Sequence, residues 1–432
     1  MLDIQFIRDN RELVKEKSKQ KGYSVNVDEL LRADEERRGM LTFIEALRAR
    51  RNENADKMKG GKPSPELIEE GKRIKTELAE MEERFKGVEG SFTTLLKSVP
   101  NMPFDFVPVG VTEEENQVVK TVGEPPHFDF TPKHDYQLGA DHDLIDKERA
   151  TKIAGSRFVY LKGGLVRMQL AIMQFVMQTL GDEKVIARLV QENGLDVSTK
   201  PFTPVLPPAM LRTEPYEASA RLNAEEVTYK IEQDDLWLNA SAEHTLCTMY
   251  WNEILPEDMF PIRYIGYSTS FRREAGTYGK DEEGIFRLHQ FDKLEMESLT
   301  TPETGLDEHK LHIAIQEYLM QQIGLPYQFI QKCTADIGKP NAAGVDLNAW
   351  FPAQGKWRET HTADYMTDYQ SRDLKIRVRR QDGRIELVHT ADATGFAMSR
   401  TLKAIIENNQ TADGRIMIPE VLRSFMNGQA EI

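Results

Sequence analysis

The sequence has little cysteine and no long apolar stretch. Its two cysteines, Cys247 and Cys333, lie far apart, and neither has a partner at the CxxC spacing of a metal site. We therefore expect no structural zinc and a reducing compartment, the cytoplasm. No segment reaches the roughly 18 apolar residues of a membrane span. The N-terminus MLDIQFIRDN is charged within three residues, which predicts that it is not a signal peptide.

An excess of positive charge is also absent. The chain has 56 lysines and arginines against 70 aspartates and glutamates, and its formal net charge is −14. This charge argues against a globally basic nucleic-acid binder, although a local basic patch is sufficient for phosphate recognition. The glycine patterns GxGxxG and GxxxxGK[ST] do not occur in the sequence. Their absence counts against a Rossmann or P-loop nucleotide site.

Two consecutive segments have the spacing of a coiled coil. Seam positions, mostly apolar, recur at alternating steps of three and four over 30–58 and again over 67–99. The glycines and the first proline of KGGKPSP (59–65) break the first helix, Ser64 caps the second, and Pro100 ends it. We predict an antiparallel two-helix arm with a short turn at its tip.

The predicted arm carries basic side chains near its tip. These side chains either follow the phosphates of a nucleic acid or form a solvated face with intrahelical ion pairs. The candidate phosphate contacts are Arg48, Arg50, Arg51, Lys57, Lys72 and Arg73.

After the arm, a proline-rich stretch at 101–135 reads as an extended linker. Beyond it, strands follow one another without helices between most of them, which favours an antiparallel α+β domain over a doubly wound one. The predicted helices cover 165–180 and 400–408, and the predicted strands cover 236–240, 263–274, 286–298, 327–333, 346–351, 357–362, 374–380 and 384–390.

The segment FRREAGTYGKDEEGIFRLHQFDKLEME (271–297) predicts a hairpin with a mobile loop, AGTYGKDEEG. Side chains alternate across a strand, so one face would present Arg272, Glu274, Arg287, Phe291 and Glu295. Arginines pair with phosphates and a ring can stack on a base, which suits a nucleotide. A solvated face with cross-strand ion pairs is the alternative. The opposite face, directed to the core, would present Phe286, Leu288, Leu294 and Met296.

This hairpin resembles motif 2 of the class II aminoacyl-tRNA synthetases, in the form found in the seryl-tRNA synthetase family. Other segments resemble that family in the same order along the chain. These are the N-terminal arm, AGSRFVYLKG, FTPVLPP of motif 1, SAEHTL at the TxE loop, GLPYQFIQKCTADIG, DLNAWFPAQGKWRET, and ATGFAMSRTLKAIIENNQTADGRIMIPEVL of motif 3.

The resemblance implies an α+β protein with two domains. Residues 1–112 would form a tRNA-binding domain with the antiparallel coiled-coil arm, and the basic residues of the arm would contact tRNA. Residues 113–432 would form the class II catalytic domain, an antiparallel sheet flanked by helices. The implied enzyme is a serine–tRNA ligase that works as a cytoplasmic homodimer, formed through motif 1, without a membrane.

The resemblance also implies the substrates, which are ATP with Mg²⁺, L-serine and tRNA(Ser), with a selenocysteine tRNA as a further candidate. The implied catalytic residues are Arg272, Glu359 and Arg400. The implied ATP contacts are Arg272 on the α-phosphate, Arg287 and Arg400 on the outer phosphates, Glu274 on the adenine amino group, Phe291 and Arg400 against the ring, and Glu359 with Thr362 on the metal. The implied serine contacts are Ser241, Glu243, Arg272, Glu295 and Thr394.

Two alternatives to a serine–tRNA ligase remain open at this stage. One is a synthetase-like ligase that loads an amino acid onto a carrier protein, and the other is an inactive RNA-binding paralogue. The departures from the family pattern cluster on the amino-acid side: Ser241 replaces a threonine, HTADY (361–365) stands for SSCSN, and ADATG (391–395) stands for LNGSG, with Asp392 at an asparagine position.

Overall fold

The computed structural model describes residues 1–59, 63–222, 227–274 and 283–432. The chain divides into two units, Met1–Met102 and Pro103–Ile432. The predicted boundary after residue 112 falls inside the second unit. The predicted helix break at Gly60 and Gly61 lies outside the described residues, and so does most of the predicted mobile loop, 275–282.

Every secondary-structure element described in the first unit is a helix. Ser64 caps the second long helix by accepting a hydrogen bond from the Leu67 backbone N–H at 3.3 Å, and Pro65 occupies the first turn, as the sequence predicts. Asn26 caps the first long helix in the same way. The helices are α1 Ile4–Asp9, α2 Arg11–Gln20, α3 Val27–Met58 and α4 Pro65–Ser98.

Helices α3 and α4 pack along the predicted seam, which confirms the coiled-coil arm. The buried apolar seam residues are Leu30, Ile44, Leu47, Ile74, Leu78 and Phe92. Near the tip the seam is polar, and the buried Asn54 donates its side-chain N–H to the Leu67 carbonyl at 3.3 Å. Asp34 is fully buried and forms ion pairs with Arg8 at 2.5 Å and Arg38 at 3.1 Å. These contacts fix the base of the arm.

The second unit combines helices with a large sheet. Its helices are α5 Asp135–Asp141, α6 Lys147–Ala154, α7 Gly163–Leu180, α8 Glu183–Glu192, α9 Thr213–Ala218, α10 Glu243–Leu246, α11 Gly305–Ile323, α12 Tyr369–Leu374, α13 Met398–Asn408 and α14 Glu420–Arg423. Its strands are β1 Gln117–Val122, β2 Ile145–Asp146, β3 Tyr160–Leu161, β4 Thr203–Val205, β5 Met210–Leu211, β6 Lys230–Ile231, β7 Leu236–Leu238, β8 Ile254–Pro256, β9 Ile262–Phe271, β10 Gln290–Thr300, β11 Tyr327–Gln331, β12 Ala343–Phe351, β13 Lys356–Thr367, β14 Arg377–Arg379, β15 Ile385–Leu387 and β16 His389–Ala397.

An eight-stranded sheet in the order β1-β11-β12-β13-β16-β10-β9-β4 supports the site. Its described pairs are antiparallel except β4 with β9, which are parallel. Leu294 and Met296 point into the core, where α7, α11 and α13 cover one face of the sheet. Because side chains alternate, Lys293, Glu295 and Glu297 of the same strand point to the opposite face. The predicted antiparallel α+β class is therefore confirmed.

The structure corrects two expectations about extended segments. The proline-rich stretch 101–135 is not only a linker, because β1 lies within it and pairs with β11 through an irregular register near Val118. The strands of the hairpin are shorter than predicted: β9 ends at Phe271 and β10 begins at Gln290. Arg272, Glu274 and Arg287 therefore lie on irregular backbone beyond the strand ends, and the left-handed φ of +51° at Glu274 is incompatible with a strand.

Candidate active site

One cavity of about 290 Å³ above the sheet gathers most of the predicted site residues. Residues of β10, β13 and β16 line it, together with loops next to these strands. The predicted residues that line it are Glu243, Arg272, Glu274, Arg287, Phe291, Glu359, Thr362, Thr394 and Arg400. Ser241 and Glu295 lie beneath this lining and are fully buried. Ser241 contacts Glu243 of the lining, and Glu295 contacts Lys293 of the lining.

Cations surround one end of the cavity. The Arg272 guanidinium lies 5.3 Å from the centre of the Phe291 ring and donates to the Ala240 carbonyl at 3.1 Å. Arg287 forms an ion pair with Glu274 at 3.1 Å. This end therefore combines an aromatic face with guanidinium groups, as the hairpin predicts.

Arg400 also lines the cavity and contacts an aromatic ring and a carboxylate. Its guanidinium is 4.8 Å from the centre of the Phe286 ring, and Arg358 lies 4.0 Å from the same ring. Arg400 also donates to the Glu359 carboxylate at 2.8 Å. The partial burial of Glu359 in the cavity acts to raise its pKa, but Arg400, Lys332 and Arg272 lower it overall. Glu359 is therefore held as an anion.

The opposite end of the cavity is built from carboxyl groups and two cations. Oxygens of Glu243, Glu295 and Asp392 lie within 4.8 Å of one another. Lys293 forms an ion pair with Glu295 and lies 3.1 Å from the Ser241 hydroxyl oxygen. This acidic cluster already contains its own counter-charges.

Protonation differs among these carboxyl groups. Burial favours the neutral form of Glu243, yet Arg221, His244 and Lys293 hold its pKa well below the usual range. Burial raises the pKa of Glu295 to about 7, against the opposing effect of Lys293. Burial and the neighbouring Asp392 raise the pKa of Glu297 well above the usual range. Ionised and protonated carboxyl groups are thus side by side here, an arrangement typical of functional sites.

Two cations of this end were not among the predicted site residues. Lys293 follows a recognisable strand alternation, so its direction into the site could have been derived from the sequence. Arg221 lies in irregular backbone after α9, where no periodicity indicates a direction. His361 adjoins the predicted site, and burial lowers its pKa to about 3. Its Nδ1 atom forms a hydrogen bond of 2.8 Å with the Thr360 hydroxyl group. It is a neutral structural side chain.

The predicted metal ligands are oxygen donors, the type that Mg²⁺ prefers. Half of the Glu359 side-chain surface is exposed, and the Thr362 hydroxyl donates to Asp346. Burial raises the pKa of Asp346 to about 7, against the effect of Lys332. The residues present therefore fit a hard cation next to bound phosphates.

The basic residues of the arm are largely paired with carboxylates. Arg48 contacts Glu82 at 2.7 Å, and both Arg50 and Arg73 contact Glu70 at 2.6 Å. Lys57 pairs with Glu53 at 2.7 Å, and Arg51 donates to Asn52 at 3.4 Å. Lys72 is exposed on α4. These pairs are solvent-exposed and hence weak, so an incoming polyanion could replace the carboxylates.

Comparisons with known proteins decide the family. The profile of the seryl-tRNA synthetase N-terminal domain matches residues 1–103, and that of the tRNA synthetase class II core domain (G, H, P, S and T) matches residues 228–409. The serine–tRNA ligase of Exiguobacterium sp. is 36% identical over 439 aligned positions, covering 100% of this chain and 99% of that protein. The chain belongs to the seryl-tRNA synthetase family.

Solved structures of the seryl-tRNA synthetase family share the whole fold. The enzyme of Pyrococcus horikoshii complexed with ATP has a TM-score of 0.86 and 36% identity, with 100% of this chain and 99% of that chain covered. The cytoplasmic serine–tRNA ligase of Naegleria fowleri in complex with AMP has a TM-score of 0.83 and 27% identity, with 100% and 98% covered.

These relatives confirm the class II fold and the serine–tRNA ligase predicted from the motifs. They give no support to the carrier-loading ligase or the inactive paralogue. Within the described residues, no helix is both long and apolar enough to cross a membrane.

Proposed function

We propose that this chain joins serine to tRNA in two steps, and that the cavity above the sheet performs both. The observation that supports this proposal best is the grouping of nine predicted residues around one cavity, with guanidinium groups at one end and carboxyl groups at the other. The first step forms seryl-adenylate from serine and ATP, and the second transfers the seryl group to a ribose hydroxyl of tRNA.

In the first step a serine carboxylate oxygen attacks the α-phosphorus of ATP, and the bond to the β-phosphate oxygen breaks to release pyrophosphate. Arg272 binds the α-phosphate and the serine carboxylate, so it orients the attack and stabilises the charge that develops. Arg287 and Arg400 hold the outer phosphates. Glu274 accepts from the adenine amino group, and the ring stacks on Phe291.

Mg²⁺ would be held by Glu359, with Thr362 as a second oxygen ligand. The ion would reduce the negative charge of the phosphates when ATP is bound. The ionised Glu359 carboxylate supports this assignment. In the absence of ATP, Arg400 neutralises that carboxylate.

Serine would bind at the carboxyl end of the cavity. The ionised Glu243 accepts hydrogen bonds from the substrate ammonium group, and Glu295, Ser241 and Thr394 surround its hydroxyl group. A site built to hydrogen-bond a hydroxyl rejects the analogue that lacks it much better than an apolar pocket rejects an added group. We therefore expect strong discrimination against alanine, whereas threonine has to be excluded by size.

The arm would contact tRNA(Ser) through Arg48, Arg50, Arg51, Lys57, Lys72 and Arg73. The motif 1 segment would form a homodimer, because β4 is an edge strand and Leu206 next to it is 77% exposed. Use of a selenocysteine tRNA, location in the cytoplasm and the domain boundary at residue 112 stay predictions.

The Arg272→Ala variant tests the central assignment. We expect ATP–pyrophosphate exchange to fall by about a hundredfold or more, because a group that stabilises transition-state charge is lost, while tRNA binding is kept. Arg273→Ala is a matched control, since that neighbouring guanidinium lies over the Tyr229 ring instead. Exchange at the wild-type rate in Arg272→Ala would refute the assignment.

A further inference from the structure

Arg221 lies at the carboxyl end of the cavity, where no family motif predicts a cation. Its side chain is 13% exposed, and its guanidinium donates to one carboxylate oxygen of Asp392. Its Nε atom lies 3.4 Å from an oxygen of Glu243, so it bridges the sheet and helix α10. Arg221 also lines the cavity itself. We propose that Arg221 is a positioning residue for serine, which fixes Glu243 as the acceptor of the substrate ammonium group.

The need for this cation comes from the sheet beneath it. Glu297, Asp392 and Asp364 are directly opposite one another on β10, β16 and β13, so three carboxyl groups form a row on the cavity face. Both carboxyl oxygens of Glu297 and one of Asp392 are buried without a hydrogen bond to any described residue. Burial raises the pKa of Asp392 well above its usual range, and Arg221 acts against this shift. Arg221 supplies the positive charge above the middle of the row.

The two cations at this end have Glu243 as a common neighbour. Lys293 pairs with Glu295 and lies 3.9 Å from Glu243, whereas Arg221 contacts Asp392 and lies closer to Glu243, at 3.4 Å. The planar guanidinium can reach two carboxylates in one plane, which an ammonium group cannot. Glu243 is thereby held between Arg221 and Ser241, whose hydroxyl oxygen lies 3.2 Å from its second oxygen.

Loss of Arg221 should affect serine and spare ATP. Without it, Glu243 loses the guanidinium that lies against one of its oxygens, and of the described basic side chains next to it only Lys293 at 3.9 Å and His244 at 3.4 Å remain. The contacts of Phe291, Arg287 and Arg400 at the other end do not involve Arg221. This inference rests on the serine pocket proposed above. The test therefore has to distinguish a wrong pocket from a wrong role of Arg221.

The test measures KM for serine and for ATP in pyrophosphate exchange. In Arg221→Gln we expect KM for serine to rise about thirtyfold or more, as for a buried charge left without its partner, with KM for ATP unchanged. Arg415→Gln, at an exposed arginine paired with Asp413 and Glu431, is the control and should change neither constant.

Two results would overturn the proposal: an equal rise in both KM values, or a KM for serine that Arg221→Gln leaves unchanged. If Arg221→Gln is not recovered as folded protein, Arg221→Lys replaces it, and an unchanged KM for serine would then contradict the proposal. Glu243→Gln in parallel tests the pocket itself. If it leaves KM for serine unchanged, the serine pocket is wrong; if it raises that KM and Arg221→Gln does not, the role of Arg221 alone is wrong.

Discussion

Glu274 and Arg287 form an ion pair of 3.1 Å at the guanidinium end of the cavity, and the Glu274 backbone has a left-handed φ of +51°. Residues other than glycine rarely adopt this conformation, which costs on the order of 1 kcal/mol. Despite this strain, Glu274 lines the cavity, where we propose that its carboxylate contacts adenine. ATP binding would exchange this internal pair for contacts with the adenine amino group and the outer phosphates.

The Glu274→Gly variant should therefore separate stability from affinity. Glycine adopts positive φ without strain, so we expect the melting temperature to be kept. The loss of the adenine contact should raise KM for ATP by about tenfold, the value of a hydrogen bond to a charged group. Thermal unfolding and pyrophosphate exchange measure the two effects. Lys375→Gly, at an exposed position with φ +54°, is the control and should leave KM unchanged.

A variant of the arm can test whether its basic residues bind tRNA phosphates or only form a solvated face with ion pairs. Arg50 and Arg73 both contact Glu70 at 2.6 Å, so these two arginines share one carboxylate. If they bind phosphate, the Arg50→Ala/Arg73→Ala variant should raise KM for tRNA and reduce its dependence on salt concentration by about two contacts. Serine activation without tRNA should be unaffected. An unchanged salt dependence would favour the alternative of a solvated face with internal ion pairs.

Acid stability of the second unit should depend on Arg380. This arginine is 9% exposed and pairs with Glu257, Glu303 and Glu386 at 2.5 to 2.8 Å. The hydrogen bond from Arg380 lowers the pKa of Glu303 to about 2. A carboxyl group with a lowered pKa stabilises the fold above its ordinary pKa, and this contribution is lost as pH falls towards the folded value.

We therefore expect Arg380→Gln to lower the melting temperature at neutral pH by a few degrees, the equivalent of about 1 kcal/mol. The difference from the unaltered chain should shrink as pH falls from about 4.5 towards about 2. Melting temperatures of both proteins, measured by thermal unfolding from neutral pH down to about pH 2, test this expectation. Arg384→Gln, at a side chain 67% exposed that also pairs with Glu386, serves as the control. A difference that is independent of pH would contradict the ion-pair account.

The sequence was sufficient to predict those elements in which apolar residues recur with a helical or strand period. The seam spacing predicted α3 and α4, and the alternation around Leu294 and Met296 predicted which face of β10 enters the core. Ser64 predicted the start of α4 because a cap has a specific local chemistry.

Elements held by distant partners could not be predicted in this way. Strand β1 exposes most of its side chains, so it has no apolar alternation, and it exists because β11 offers a sheet edge. Glu297, Asp392 and Asp364 form a row because of the pairing register of three strands. No local sequence pattern specifies that register. Arg221 is directed into the cavity by that row, from a segment without any period.

The central claim is that this chain charges tRNA with serine. The most direct measurement is aminoacylation of total cellular tRNA with labelled serine, threonine and alanine in parallel. Our account predicts that label from serine alone becomes attached to tRNA. Attachment of no amino acid, or of threonine or alanine as efficiently as serine, would contradict it.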